Sequence, residues 1–373
     1  MTLTRTICQA SAAALLVGAS TGIAFADEAA DGLARATEII ESHRALPVYE
    51  PAGEPFDIRK VAEGKKMLSI PNTSANQFLK GIIRREIEVG KEIGLEVREW
   101  ENQGQPNQWV QGIEYAIAND FDIVDLISGV NPAVVEPQLQ AAKEAGVKVF
   151  TSHFYDPSQP ASEHLAGDLP VSFYGQGYIL GNWMIYKTGG DARAIVVKSD
   201  DVPPTAPLVQ GIRDALSENC PKCEILQEIN VGITEWGTKI QPSVQSALIS
   251  KPTANYVIPI YDSMSQFVVP AIELTGKSET VKVATSNGTP FVLDFIREGK
   301  VEMDIGESLD WIARATIDGY MRNLAGLPMP EDIGVPYYLF DESNIETAGV
   351  PAEPNKGYGD EYVKGFHKTW MMD

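Results

Sequence analysis

The sequence predicts an α/β protein of two lobes, each built on a doubly wound parallel sheet, joined by a three-crossing hinge. Three observations carry this reading. From Lys65 onward, short apolar or β-branched strands alternate with amphipathic helices at the spacing of βα units with right-handed crossovers. The alternation runs through two rounds. Between them lies Val147–Asp168, VKVFTSHFYDPSQPASEHLAGD, which begins as a strand and turns polar, aromatic and proline-bearing. Pro157 and Pro160 keep that segment from becoming a helix. A chain that leaves one finished layer through such a segment and starts another is passing between lobes. Ligands of open parallel sheets sit at strand carboxyl ends, where this segment begins, so hinge and cleft are expected together.

Taken in order, the chain opens with Arg5, the apolar run Ala12–Ala19 and the small-x-small site Ala24-Phe25-Ala26. That pattern predicts an export signal cleaved after Ala26. The apolar run falls short of the roughly 20 residues a membrane span needs, and Cys8 lacks the small residues that precede a lipidated cysteine. Asp31–Leu46 reads as an amphipathic helix with Leu33, Ala36, Ile39 and Ile40 on one face, and Pro47–Lys60 as an extended arm. Strand Lys65–Ile70 follows, then helix Phe78–Ile93 stopped by Gly94, strand Leu95–Trp100, helix Asn107–Ala118, strand Ile123–Ile127 and helix Pro132–Ala145. Beyond the crossing come helix Ser172–Tyr186, strand Ala194–Lys198, helix Leu208–Glu218, strand Cys223–Val231, helix Lys239–Ile249 and strand Tyr256–Ile260. Helix Ser263–Thr275, strand Val281–Thr285, helix Phe291–Arg297, strand Val301–Ile305 and helix Leu309–Leu324 complete the pattern. The tail from Ser343 to Asp373 matches no regular element.

The 373 residues accommodate two domains, and 44% hydrophobic content supplies their cores. A net charge of -21 argues against nucleic acid or anionic membrane as partners, since both reward basic patches. Without the leader two cysteines remain, Cys220 and Cys223, in Cys-Pro-Lys-Cys. No second such pair exists and the histidines (His43, His153, His164, His367) are scattered, so no metal is expected. A redox motif opens a helix, whereas this one lies between a helix and a strand. In an oxidising compartment the expectation is a structural disulfide stapling the turn.

Gly175, Gly177 and Gly181 imitate a dinucleotide fingerprint, but no strand ends at the first glycine. Close packing of a helix on a sheet accounts for them, and no cofactor is expected. Nucleophile-elbow, zinc-protease and phosphate-loop signatures are absent. Asp262, Glu235 and Glu307 are the residues from which a glycosidase pair would have to come, the enzyme alternative. Aromatic and amide-bearing residues instead gather just after predicted strands: Asn72 and Asn76, His153 to Asp156, Trp236, Tyr261-Asp262, and Asn287. Aromatic faces stack on C–H surfaces while amides and carboxylates bond hydroxyls, the needs of a small polyhydroxylated ligand.

The order of elements from Lys65 to Asp332 resembles the periplasmic sugar-binding proteins of the ribose- and galactose-binding type, which have the type I periplasmic binding protein fold and serve ABC transporters. The matching stretches are Ser74-Ala-Asn-Gln-Phe78, Ala145-Gly-Val-Lys-Val-Phe150, Ala166-Gly-Asp168, Tyr261-Asp-Ser-Met264, Ser286-Asn-Gly-Thr-Pro290 and Arg297-Glu-Gly-Lys300. By this resemblance, Asn76 and Phe78 stand for the family's first-loop asparagine and stacking aromatic. His153 and Phe154 replace an Asp-Arg pair, with Asp156 close behind. Glu235 or Trp236 falls near a second stacking aromatic, Tyr261 at a hinge-side asparagine with Asp262 following. Asn287 replaces an aspartate and Glu307 a hinge glutamine, with Trp311 one helical turn on. The loop arginine near Thr205–Leu208 is missing. Loss of two arginines argues against an acidic or phosphorylated ligand.

These readings imply an exported, monomeric, non-enzymatic solute-binding protein of the periplasm. It would capture a small neutral sugar or polyol and deliver it to an ABC transporter permease. An amino sugar is the cationic variant, with Glu307 and Asp262 as its acids. A ligand sensor for a membrane histidine kinase and an exported glycoside hydrolase are the alternatives. The expected domains are a signal (1–26), an N-terminal helix and arm (27–64), an N-terminal lobe (65–166 with 308–331), a C-terminal lobe (167–307 with 332–345) and a tail (346–373). Crossings are expected near Leu165–Asp168, Ile305–Ser308 and Pro330–Pro336.

Overall fold

The computed structural model describes residues 18–372 except Gly129, with side chains from Ala29 onward. Arg5, Cys8 and most of the expected leader lie outside the described residues. In chain order the elements are α1 (Gly18–Ser42), α2 (Ile58–Ala62), β1 (Lys66–Pro71), α3 (Gln77–Ile93), β2 (Glu96–Glu99), α4 (Pro106–Ala118), β3 (Ile123–Ile127), α5 (Glu136–Glu144), β4 (Lys148–Ser152) and β5 (Gly167–Leu169). Then follow α6 (Phe173–Thr188), β6 (Arg193–Lys198), α7 (Thr205–Asn219), β7 (Glu224–Asn230), α8 (Trp236–Ser250), β8 (Tyr256–Pro259), α9 (Asp262–Leu274), β9 (Lys282–Asn287), α10 (Pro290–Arg297), β10 (Met303–Gly306), α11 (Leu309–Leu324), β11 (Tyr338–Asp341) and α12 (Glu361–Thr369). No helix among the described residues is long and apolar enough to cross a membrane.

The two rounds of alternation form two sheets. The first runs β2-β1-β3-β4-β5 and is parallel throughout. The second runs β11-β10-β9-β8-β6-β7, with β11 antiparallel to β10. Strand side chains alternate faces, and in the first sheet this makes two cores. Leu68, Ile70, Val124 and Leu126 meet Ile113 of α4 and Leu139 of α5, while Met67, Ile123 and Ile127 meet Ile82 and Ile83 of α3. Helix α3 starts where Asn76 accepts from the Phe78 and Leu79 amides, and stops at Gly94 in the left-handed region.

Gly177 and Gly181 of α6 pack on a helix, α7, rather than on a sheet as the sequence reading had them, while Gly175 lies against Ser172 and Tyr337. A Cβ on Gly177 would lie 1.8 Å from the Leu208 carbonyl oxygen, and one on Gly211 would lie 2.2 Å from that of Tyr174. The resemblance to a nucleotide motif is a by-product of that close approach. Four elements escaped the sequence reading. Strand β5 lies inside the expected first crossing, its Gly167 paired with Phe150. Only Leu169 of its three residues is fully buried, so no strand pattern shows. The chain instead passes between lobes at Pro170–Ser172. Helix α2 is one turn long, and β11 and α12 lie in the region beyond the last βα unit.

Both termini also cross between the lobes. Helix α1 packs on α6 and α7 of the C-terminal lobe, and Leu339 N–H donates to the His43 carbonyl. The arm then reaches the N-terminal lobe, where Phe56 and Ile58 N–H donate to the Thr369 and Trp370 carbonyls and α2 packs on α11. The tail runs the same way, from β11 to α12 on α11. Trp311 of α11 stacks on Tyr362 at 4.6 Å and meets Tyr49 at 6.1 Å.

Cys220 and Cys223 form a disulfide across the turn from α7 to β7. Titration of the unfolded, unreduced protein should find no free thiol from this pair. Reduction should lower stability by about 2 kcal/mol, the chain entropy of so short a loop. Thiols titrating without reductant would refute the pairing.

Each lobe also buries a carboxyl pair. Glu86 of α3 faces Asp125 of β3, which accepts from Ser152 and Tyr320 hydroxyls. Asp262 faces Asp304 of β10, and it accepts from Thr289 N–H at 2.7 Å. Burial pushes Asp125 and Asp262 up to about 7. Glu86 and Asp304 lie well above the carboxylate range because burial adds to a neighbouring acid's charge. Asp262 Oδ1 and Asp304 Oδ2 have no other partner, and one shared proton satisfies both. The folded chain therefore holds protons that the unfolded chain releases near pH 4. The stability they supply is full below about pH 4 and is lost as pH rises through about 7. Urea midpoints should fall between about pH 5.5 and 8. Asp304→Asn, which keeps an acceptor for Gly288 N–H and gives Asp262 a permanent donor, should flatten that slope by up to about 1.4 kcal/mol per pH unit. An unaltered slope would exclude the shared proton.

Candidate functional site

The carboxyl ends of both sheets point at one another, and a small cavity lies between them. Its walls come from the segments that follow β1, β3, β4, β5, β6, β7 and β8 and from the end of β9. They are Asn72, Asn76, Phe78, Ser128 and His153 from the first round, and Phe173, Val202, Pro204, Ile233, Trp236, Tyr261, Ser263 and Asn287 from the second. Its volume is ≈ 30 Å³, against about 300–1,000 Å³ for the usual ligand cleft. The lobes are drawn together. Among the described residues, no lysine, arginine, aspartate or glutamate belongs to this wall.

His153 occupies the middle. Its ring lies 5.1 Å from Phe78 on one side and meets Phe173 edge-on at 5.2 Å on the other. Nε2 lies 3.1 Å from Glu307 Oε1, so the ring proton sits there as the donor. Nδ1 is buried and has no partner among the described residues. Asn72 Oδ1, also in the wall, is in the same condition. Buried polar atoms are normally satisfied, and both of these belong to residues that line the same small space. Ser128, His153 and Asn287 have φ of 46°, 50° and 133°, which side chains rarely adopt. Such strain gathers where geometry serves a ligand.

Trp236 presents a ring held rigidly by its edge. Its Nε1–H donates to Ser199 Oγ and the Val231 carbonyl, both at 3.1 Å, and the ring stacks on Tyr261 at 6.3 Å. Thr205 and Tyr261 hydroxyls are bonded to each other at 3.1 Å, and burial pushes the Tyr261 phenol above its usual range. Asn287 donates from Nδ2 to Glu307 Oε2 at 3.2 Å. Glu307 itself is fully buried behind the wall, both oxygens occupied by His153 and Asn287.

Of the twelve residues singled out in the sequence, Asn76, Phe78, His153, Trp236, Tyr261 and Asn287 meet around the cavity. The other six stand elsewhere. Phe154 is buried against Tyr155. Asp156 caps its own loop and accepts from Tyr174 N–H. Glu235 is 45% exposed and paired with Lys239. Asp262 faces Asp304, Glu307 lies behind the wall, and Trp311 packs with the tail. Sequence reasoning passed over Ser128, Phe173, Val202, Pro204, Ile233 and Ser263 and noted Asn72 without selecting it. The strand-end rule, applied to β3 and β6 as well, would have reached Ser128 and Val202.

A larger depression of ≈ 480 Å³ lies in the C-terminal lobe between Lys187, Lys300, Glu273 and Glu302. It opens at the amino ends of β9 and β10, the wrong ends for a ligand of a parallel sheet. Both its lysines named here already pair, Lys300 with Glu298 at 2.8 Å and Lys187 with Glu302 at 4.0 Å. Among the described residues no cluster of His, Cys, Asp or Glu is placed to hold a metal ion.

Solved structures share this architecture at low identity. An ABC transporter solute-binding protein from Agrobacterium vitis, with bound allitol, superposes with a TM-score of 0.67 at 20% identity over 76% of this chain and 98% of that one. A Caulobacter myo-inositol binding protein gives 0.65 at 15% identity, covering 77% and 96%. A 5-methylthioribose transporter solute-binding protein from Thermotoga lettingae gives 0.67 at 16%, covering 85% and 99%. No curated protein matches the sequence. Residues 68–327, well over half of the chain, match the family model described as periplasmic binding protein domain, and the chain belongs to that family.

Proposed function

We propose that this is an exported solute-binding protein that closes its lobes on a small neutral sugar or polyol and delivers it to the membrane permease of an ABC transporter. The observation that carries this reading is the cavity wall. Amides, hydroxyls and aromatic rings converge from both lobes, without a Lys, Arg, Asp or Glu among the described wall residues, and leave Asn72 Oδ1 and His153 Nδ1 without a partner among them. Neutral acceptors suit hydroxyl donors, and rings suit sugar C–H faces. The ligands named for the structural relatives, allitol and myo-inositol among them, are of that chemistry.

The carboxylates that favoured an amino sugar are turned away. Glu307 spends both oxygens on protein donors and Asp262 lies behind with Asp304, so a cation would find no partner at the wall. The same placement removes support from a hydrolytic pair, since Glu235 is outside and paired with Lys239. The reading is therefore binding without chemistry, and the expected export signal fits a periplasmic carrier.

A thermal-shift panel of sugars and polyols tests the reading, because a ligand at 100 times its Kd adds about 2.7 kcal/mol. No shift across the panel would sink it. Asn72→Ala should weaken the identified ligand roughly 5- to 150-fold, the range of about 1–3 kcal/mol for a buried acceptor. The apo protein should melt no lower, since an unpaired atom is being removed. Lower apo stability with unchanged affinity would make Asn72 purely structural.

Glu307→Gln keeps an acceptor for His153. A neutral ligand should therefore lose no more than about tenfold in affinity, near 1.4 kcal/mol. A loss beyond about 100-fold in isothermal titration for cationic probes alone, with neutral ones little changed, would instead mark a cationic ligand.

A further inference from the structure

Building on the solute-binding reading, we propose that the ligand is amphipathic: a sugar or polyol with a deoxy or alkylated end, lodged against an apolar quarter of the cleft. The two kinds of wall residue are unevenly distributed, with Phe78 and Phe173, both packed on His153, as the apolar members outside the patch. Asn72, Asn76, Ser128 and His153 follow strands of the first sheet, and Tyr261, Ser263 and Asn287 follow β8 and β9 of the second. Val202 and Pro204 follow β6, and Ile233 and Trp236 follow β7. Strands β6 and β7 are neighbours at the sheet's edge, so their loops adjoin and their apolar residues form one patch.

Several polar groups near that patch are already committed. Trp236 Nε1–H is given to Ser199 and Val231, and Thr205 Oγ1–H to the Ser199 carbonyl at 2.7 Å. Val202 N–H donates to the Ser199 carbonyl at 3.0 Å, Ile233 N–H to Asp201 Oδ2 at 3.0 Å, and Pro204 has no N–H. A ligand hydroxyl pressed here would leave water and find no partner. A methyl, methylene or thioether group would lose nothing polar and would cover apolar surface. The opposite, amide-lined wall needs hydroxyls. One cavity therefore asks for both characters, at opposite ends of one small molecule.

Matched pairs of probes, differing by one terminal hydroxyl, test this by isothermal titration: D-galactose with D-fucose, D-glucose with D-quinovose, D-mannose with D-rhamnose, and D-ribose with its terminal deoxy derivative. In the pairs that bind, the deoxy member should be at least tenfold tighter. Val202→Thr keeps the branched shape and sets one hydroxyl in the patch, and it should narrow that gap at least threefold. Should Val202→Thr fold poorly, Ile233→Thr makes the same change from the neighbouring loop. Equal or tighter binding of the fully hydroxylated member in every binding pair overturns the inference and leaves the solute-binding reading standing. If no sugar or polyol binds at all, that reading falls and takes this one with it.

Discussion

A carboxylate entirely out of water, Glu307, sits where the two lobes meet, and most of the site is arranged to make that tolerable. Isolated, such a charge is strongly disfavoured in an interior. Two donors reach it, one from each side: His153 from the loop after β4 and Asn287 from the end of β9. Both donors adopt positive φ to do so. His153 is further clamped between Phe78 and Phe173, and its Nδ1 has no partner among the described residues. The cleft's free acceptor is thus a consequence of the buried acid. Remove the acid's need for His153 and the ring has no reason to expose that atom.

The segment carrying Glu307 is steadied from outside by the tail. Tyr362 hydroxyl donates to Asp310 Oδ2 at 2.9 Å and lies 3.4 Å from Ser308 Oγ, and Asp310 N–H donates to Asn355 Oδ1 at 2.8 Å. Tyr358 packs on Phe340, and its hydroxyl lies where a Cβ on Gly306 or Gly288 would come within 2.5 Å of it. Only glycine fits there. Helix α12 is bound to α11 through Trp370 Nε1–H and Asp318 at 2.8 Å, so it moves with the N-terminal lobe. Opening the cleft then has to be absorbed between β11 and α12, where Gly349, Gly357 and Gly359 all have positive φ. Arm and tail make this hinge broader than its three central crossings alone would.

The fold was legible because parallel strands buried on both faces read as apolar runs; Ala194–Val197 is one, and Ile123–Ile127 is broken only by Asp125. Helix α11 came out with its bounds intact for a related reason: Ser308 caps it and its burial is nearly continuous. The elements that escaped lack any periodic signal. Strand β5 is three residues long, α2 a single turn, and β11 follows a proline-bearing loop with no helix to pair it with. Tertiary packing on α11 and β10 makes these elements regular, and that contact is not written locally in the sequence.

The site was half legible, and the half that was missed has a common cause. Searching strand ends for polar and aromatic residues finds hydrogen-bonding groups, and it found His153, Trp236, Tyr261 and Asn287. It also gathers every acid nearby, although an acid next to a closing cleft has to be neutralised by partners before it is buried. Glu307, Asp262 and Asp156 each achieve this inside the protein, by amide and imidazole donors, by a shared proton and by loop N–H groups. An acid so satisfied has nothing left to offer a ligand. The apolar residues Val202, Pro204 and Ile233 are invisible to such a search because apolar side chains are common everywhere. Only their joint position, on the loops of adjacent strands β6 and β7 and opposite a wall of amides, turns them from core filler into a statement about the ligand.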